Sequence, residues 1–204
     1  MKVGIIYLAS GNSRRFGQNK LLKNIGEKPM YRYGLDRLIN ICKHHTDWEI
    51  IVVTQHEEIK EQIKKDPVKI AFCKESKYGI SYSIKAGIKE AKDPTYYAFF
   101  VADQPDMKEE TMEGFLSFME EGAYELGCVK TEEQLGNPVW FDQKYKDELF
   151  SLTGDQGGKK ILKKHIEKAR FFSVLEKSEL CDIDYPKEMQ AMLAKQDKSS
   201  YNNI

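Results

Sequence analysis

Gly11, Ser13, Arg14, Arg15, Gly17 and Lys20 crowd into one short stretch, directly after an apolar run at 3–8 and the small residues Ala9 and Ser10. The chemistry they offer is capture of a polyphosphate. Small residues let backbone N–H groups approach phosphate oxygens, and the cations neutralise them. The stretch is not a Walker A loop, because no Lys-Ser/Thr pair follows its glycines. Nor is it the dinucleotide fingerprint, because the G-x-G-x-x-G spacing is absent and no acidic residue is placed for a ribose at the next strand end. An ordinary surface loop with solvated cations would account for any one of these residues. It accounts less well for all of them converging behind a buried strand.

Carboxylates stand where such a site needs them. Asp103, in Val101-Ala102-Asp103-Gln104-Pro105, ends the most apolar run in the chain. A carboxylate there can hold Mg²⁺, which takes oxygen ligands and bridges to phosphate. The alternative, a helix N-cap, suits Asp106 better, because Glu109 follows it three residues later. In Cys181-Asp182-Ile183-Asp184-Tyr185-Pro186 the alternation puts both aspartates on one side of an extended segment. Either can be a metal ligand, and Asp184 can equally cap a final helix. Gly79-Ile80-Ser81-Tyr82-Ser83 opens a helix, with Ser81 a natural cap and a second hydroxyl left for a base or ribose. Gly136-Asn137-Pro138 and Thr153-Gly154-Asp155-Gln156-Gly157-Gly158 read first as tight turns. The second, with Lys159 and Lys160, is also a candidate anion site. His44, His45 and Cys42 lack partners and read as surface and core. There is no nucleophile elbow and no Ser-His-Asp order, so the pattern suits binding of phosphate and metal, not an acyl-enzyme.

The elements that must position these residues alternate. Strands are expected at 3–8, 49–53, 68–72, 96–101, 124–130, 138–141 and 170–175. The runs at 50–53 and 97–101 are apolar without alternation, as suits strands buried on both faces. Helical spacing joins Leu35, Leu38, Ile39 and Cys42 after Pro29, and Ile80, Ile84, Ile88 and Ala91. It also joins Met112, Phe115, Leu116 and Met119 within 108–119, and Ile161, Leu162 and Ile166 within 158–166, with His165 at the edge of that face. The 57–65 helix is polar and expected to be exposed, and Pro186 opens a last helix to about 194. The reading is α/β: an open, mostly parallel, Rossmann-like twisted sheet with helices on both faces. Ligands of such sheets bind beyond the carboxyl ends of the strands, which is where the motifs fall.

Length suits a single domain over 1–194, with 195–204 a frayed tail. Lysine plus arginine equal aspartate plus glutamate, which argues against nucleic acid or an anionic membrane as partner. No apolar run is long enough for a bilayer span, so the expected location is cytoplasmic. Cys42, Cys73, Cys128 and Cys181 lie far apart with no C-x-x-C pair and are expected to be reduced, mostly buried thiols.

In order along 2–192, the segments Leu8-Ala9-Ser10-Gly11-Asn12-Ser13-Arg14-Arg15-Phe16-Gly17, Lys20-Leu21-Leu22, Gly79-Ile80-Ser81-Tyr82-Ser83, Asp103-Gln104-Pro105, Gly136-Asn137-Pro138-Val139, Gly154-Asp155-Gln156-Gly157-Gly158 and Asp182-Ile183-Asp184-Tyr185-Pro186 resemble the nucleotidyltransferase family that contains the molybdenum cofactor cytidylyltransferase and guanylyltransferase. The Gly-Asn-Pro-Val and Gly-Asp-Gln-Gly segments look like the cytidylyltransferase side. The resemblance implies a nucleotide-diphospho-sugar transferase-like fold. Ala9, Ser10, Gly11, Ser13, Arg14 and Lys20 would hold the nucleoside triphosphate, with Ser81 and Ser83 near its base or ribose. Lys20, Arg14 and Asp103 would be catalytic, Asp103 and Asp184 would hold Mg²⁺, and Asn137 and Asp155 would face the acceptor. Ser10 stands where the family has Ala or Gly, a position tied to the choice between cytosine and guanine. Ala102 stands where Gly is usual, and Gly158-Lys159 replaces Ala-Arg.

The implied reaction is transfer of a nucleoside monophosphate, CMP by preference, to a phosphate-bearing acceptor such as molybdopterin, with release of pyrophosphate. A molybdenum hydroxylase is an implied partner. The alternatives are a sugar-phosphate or alcohol-phosphate acceptor, a non-catalytic nucleotide-binding protein on the same fold, or a glycosyltransferase using nucleotide sugars.

Overall fold

The apolar run at the N-terminus forms β1 (Val3–Leu8), buried at every position. It lies between two parallel neighbours, β4 (Trp48–Thr54) and β6 (Tyr96–Val101), in a register that sets Leu8 beside both Val53 and Val101. The computed structural model describes residues 1–13, 16–185 and 187–190. Arg14, Arg15, Pro186 and the expected tail lie outside the described residues.

All seven expected strands form one sheet. Beyond β4 lies β5 (Lys69–Phe72), parallel to it. Beyond β6 come β8 (Leu135–Asp142), β7 (Leu126–Lys130) and β9 (Arg170–Ser173), giving the order β5-β4-β1-β6-β8-β7-β9. β8 runs antiparallel to β6 and β7, and β7 and β9 are parallel. The reversal has a local cause. Residues 131–134 are too few for a parallel crossover, which needs a dozen or more residues, so β7 and β8 must make a hairpin. The Thr131 N–H closes it onto the Gln134 carbonyl at 3.0 Å. An unexpected small hairpin, β2 (Asn24–Ile25) with β3 (Lys28–Pro29), turns at Gly26 and leads into the first helix.

Helices α1 (Met30–Cys42), α2 (Glu57–Gln62) and α4 (Glu109–Glu121) cover one face, and α3 (Ile80–Glu90), α5 (Lys146–Ser151) and α6 (Lys159–Lys164) the other. Strand alternation splits β1 between them: Ile5 and Tyr7 join the core with Leu35, Leu38 and Phe115, and Ile6 and Leu8 join the core with Ile84, Ile88 and Leu162. Four expectations are corrected. In α1 it is Ile41 that joins Leu35 and Leu38 in the core, while Ile39 and Cys42 are only partly covered. The polar α2 still buries Ile59 against the sheet, and Ile63 just past its end is buried with it, since a polar helix needs an apolar anchor to stay on the sheet. α6 ends at Lys164, so Ile166 falls past it and is exposed. α4 starts after Lys108, later than a cap at Asp106 implies, and the Lys108 N–H goes to the Glu179 carboxylate at 2.9 Å. The four cysteines are free, with Cys73 and Cys128 buried, Cys42 partly covered and Cys181 exposed. No helix among the described residues is long and apolar enough to cross a membrane.

Gly87 fixes how closely α3 sits on β1. A Cβ there would lie 2.4 Å from Ile6 Cγ2. Gly87→Ala is therefore expected to cost about 1–3 kcal/mol by overpacking, despite alanine's better helix propensity, as measured by denaturant unfolding.

Candidate functional site

Because Leu8, Val53 and Val101 end at one level, the segments that follow β1, β4 and β6 emerge side by side at one sheet edge. The first of these is stitched to its neighbours. Ala9, fully buried, donates its N–H to the Val53 carbonyl at 2.8 Å. Gln55 Nε2 donates to the Ser10 carbonyl at 2.6 Å and to Asn12 Oδ1 at 2.9 Å. Ser13 takes the left-handed conformation at φ 48°, and its Oγ accepts the Lys20 backbone N–H at 3.0 Å. Ser13 thus closes the loop and delivers Lys20 at the start of a single 3-10 turn, Lys20–Leu22, capped by Asn19. Gly11 stays exposed with open space around it, so its backbone can be approached.

Lys20 is the centre of the site. Its side chain is only 7% exposed, and its Nζ donates to Asp103 Oδ2 at 2.9 Å and to Asp184 Oδ1 at 2.8 Å. Burial works against its charge, but the two carboxylates outweigh it and hold the ammonium above the usual lysine range. Three residues from distant parts of the chain thus meet as the sequence expected, but with the lysine between the two aspartates.

Asp184 reaches this point because its segment is strapped to the end of β6. The Ile183 N–H donates to the Asp103 carbonyl at 3.0 Å. The buried Gln104 Nε2 donates to the Leu180 carbonyl at 3.1 Å and to Asp182 Oδ1 at 2.8 Å. Asp182 therefore faces Gln104, while Asp184 faces Lys20. The helical turn at 187–190 is capped by Glu188, whose Oε2 accepts the Asp184 and Tyr185 N–H groups at 2.8 and 2.9 Å. Gln104 carries no chemistry of its own and escaped the sequence reading, although it sits inside the Asp103-Gln104-Pro105 motif.

A cavity of about 180 Å³ is lined by Lys20 and Asp103 together with Ser10, Ser76 and Ser83. The three serines are buried and linked: Ser10 Oγ and Ser83 Oγ are 2.7 Å apart, and Ser83 Oγ donates to Ser76 Oγ at 2.8 Å. Ser76 belongs to no motif, and nothing in its neighbourhood of the sequence marks it. Ser81 is not the cap of α3. Gly79 is, at φ +137°, and the Ser81 hydroxyl is wholly buried with no hydrogen-bond partner among the described residues and does not line the cavity. The reason is backbone crowding. A Cβ on Gly79 would lie 2.2 Å from the Gly154 carbonyl carbon and oxygen, and the Ser81 N–H donates to that carbonyl at 3.1 Å. This contact brings Asp155 to the cavity wall. Asn137 lies in β8, two residues before Val139, which pairs with Phe99 of β6. It is therefore on the same sheet edge but outside the cavity. Arg14 lies outside the described residues.

Residues 5–169 match the family model of the MobA-like NTP transferase domain. The purine catabolism protein PucB of Bacillus subtilis (strain 168) is 24% identical over 198 residues, which cover 90% of this chain and 92% of that one. A crystal structure of Rv0371c from Mycobacterium tuberculosis H37Rv in complex with manganese is 18% identical, with a TM-score of 0.74, covering 95% of this chain and 99% of that one. A structure of CMP:2-keto-3-deoxy-manno-octonic acid synthetase complexed with CTP is 13% identical, with a TM-score of 0.79, covering 98% of this chain and all of that one, 100%. The two structures share the fold.

Two predictions follow from the stitching. Gln104→Ala strands the Leu180 carbonyl and frees the segment that carries Asp184, and is expected to cost about 1–3 kcal/mol in urea unfolding. His56 Nε2 lies 3.2 Å from the Gly11 carbonyl, and burial outweighs that contact and pulls the ring below its ordinary 6.5. The folded protein therefore favours the neutral ring, a preference present above pH 6.5 and lost as pH falls through the lower folded value. An NMR titration of the His56 ring should give a midpoint below 6.5, and a midpoint at or above it would contradict the placement.

Proposed function

Since the chain belongs to the MobA-like NTP transferase domain family and is a nucleotidyltransferase, we propose that it transfers CMP from CTP to the phosphate of a molybdopterin-type acceptor with release of pyrophosphate. The observation that supports this reading best is the Lys20 ammonium held between Asp103 and Asp184 on the wall of a cavity that Gly11 also lines.

The donor set suits a divalent metal ion. Two hard carboxylates already converge on one cation, within 2.9 Å of the same nitrogen. No third His, Cys, Asp or Glu joins them in a metal-ligating group among the described residues, so phosphate oxygens and water are left to fill the other positions, the usual arrangement for Mg²⁺. Asp103 and Asp184 would hold the ion, whose chemistry would be to neutralise and align the reacting phosphates.

The chain's own residues do the rest. An oxygen of the acceptor phosphate attacks the α-phosphorus of the nucleotide, the Pα–O bond to the β-phosphate breaks, and pyrophosphate leaves with that electron pair. Little covalent work falls to the protein, which must position the phosphates and stabilise their charge. Lys20, charged at any physiological pH, is within reach of the leaving pyrophosphate, and Arg14 is proposed to join it there. Gly11 and its neighbours present backbone N–H groups to the triphosphate, and Ser13 keeps the loop closed on Lys20. Ser10 and Ser83 meet the base or ribose. Asp155 and Asn137 face the acceptor. A molybdenum hydroxylase would receive the product.

The test is a pyrophosphate-release assay of CTP, GTP, UTP and ATP against molybdopterin-type and sugar-phosphate acceptors, with Mg²⁺ and with Mn²⁺. Asp103→Asn is expected to lower kcat by at least about 100-fold. Because it takes one of two carboxylates from the buried Lys20 ammonium, it is expected to lower the melting temperature as well, so the assay is run at a temperature where circular dichroism shows the variant folded. Near wild-type release by that variant would overturn the assignment of Asp103, and preference for a sugar phosphate would overturn the acceptor.

A further inference from the structure

The hydroxyl groups that line the cavity carry an inference that rests on the nucleotide-binding reading and narrows it. Ser10, Ser83 and Ser76 are 6, 1 and 3% exposed and all line the same cavity as Lys20 and Asp103. Each hydroxyl has one proton and two lone pairs. Ser83 Oγ donates its proton to Ser76 Oγ at 2.8 Å. It therefore has none left for Ser10, and the 2.7 Å contact between Ser10 and Ser83 must carry the proton of Ser10. The relay runs Ser10 to Ser83 to Ser76. Ser10 then shows the cavity lone pairs only.

We propose that Ser76 is a specificity-determining positioning residue: by accepting the proton of Ser83 it fixes the direction of the three-serine relay, so that Ser10 presents an acceptor and selects a nucleobase bearing an exocyclic amino group. A carbonyl at that position of the base would meet lone pair against lone pair. Leaving a buried acceptor facing an acceptor is the kind of mismatch by which hydrogen-bonding sites reject close analogues. Ser76 reaches this role through Ser83, not by touching the base. Removing its hydroxyl leaves Ser83 free to turn its proton onto Ser10, which turns the proton of Ser10 outward and converts an acceptor into a donor. Gln55 holds the Ser10 backbone from the other side through its 2.6 Å hydrogen bond, so the side chain has a fixed base from which to turn.

The test is calorimetric binding of nucleotide pairs that differ in one amino group, CTP with UTP and GTP with ITP, to the full chain in the presence of Mg²⁺. The wild type is expected to bind the amino-bearing member of its preferred pair at least tenfold more tightly. Ser76→Ala should erase that ratio by tightening the carbonyl-bearing member and weakening the other, while Ser76→Thr, which keeps an acceptor, should restore it. Should Ser76→Ala not fold, Ser76→Cys, whose thiol is only a weak acceptor, cuts the same relay and carries the same expectation. A wild type indifferent to the amino group, or a Ser76→Ala ratio equal to wild type, or a loss shared equally by both members, would overturn the proposal. Preference for GTP over CTP would overturn the cytidine reading alone, because the GTP and ITP pair would then carry the test. A CTP-specific protein with an unchanged ratio in Ser76→Ala would overturn this inference alone.

Discussion

An ammonium group cannot be taken out of water alone, because the penalty amounts to several kcal/mol even after the protein relaxes. Lys20 is nearly enclosed and stays charged because Asp103 and Asp184 meet it at hydrogen-bond distance. That single requirement organises much of the molecule. β6 must end level with β1 so that Asp103 follows Leu8's neighbour at the right height. The segment after Leu180 must return to the same edge, and the Gln104 straps and the Ile183 N–H hold it there. Ser13 must accept a strained backbone so that its hydroxyl can receive the Lys20 N–H. Each of these secondary features reads as incidental until the ammonium is placed.

The same three groups are suited to function for the reason they need one another. Two carboxylates that hold an internal cation are also two hard oxygen ligands, and an ammonium held by two carboxylates is also a phosphate partner. An arriving polyphosphate with its own divalent cation exchanges partners with a set that carries one net negative charge, which the incoming cation offsets. It does not have to bring charge into an unprepared cleft, so the electrostatic cost of the apo arrangement and of the loaded one are kept similar.

Most of the frame was legible because parallel strands buried on both faces leave an unambiguous apolar signature. β1, β4 and β6 stand out for that reason, and the motif loops follow them. The reversal of β8 was legible only as a short loop, since direction is a matter of how many residues remain for a crossover. Ile59, Ile63 and Ile166 were misplaced because burial in a short helix is decided by where its turns start and stop on the sheet, and one extra turn rotates a residue out of the core. The chemistry-bearing side chains Lys20, Asp103 and Asp184 were legible by type and by their place after strands. Gln104 and Ser76 were not, because a positioning residue is recognised by what it touches, and Ser76 touches Ser83 across a break between a 3-10 turn and a helix. Ser81 misled for the complementary reason: a serine near a helix start looks like a cap, but the crowding of Gly79 against Gly154 left the cap position to the glycine.

That seam between Gly79 and Gly154 also bears on how such a protein can be redesigned. The start of α3 and the 153–158 loop meet backbone to backbone, with no side chain between them to absorb a change in either. Grafting a foreign loop into 153–158 to alter what is accepted would therefore tilt α3 and disturb the serines it carries. With the roles proposed for the serines and for Asp155, donor choice and acceptor choice would be mechanically joined at this point, and swapping one module while retaining the other would call for rebuilding both sides of the seam together.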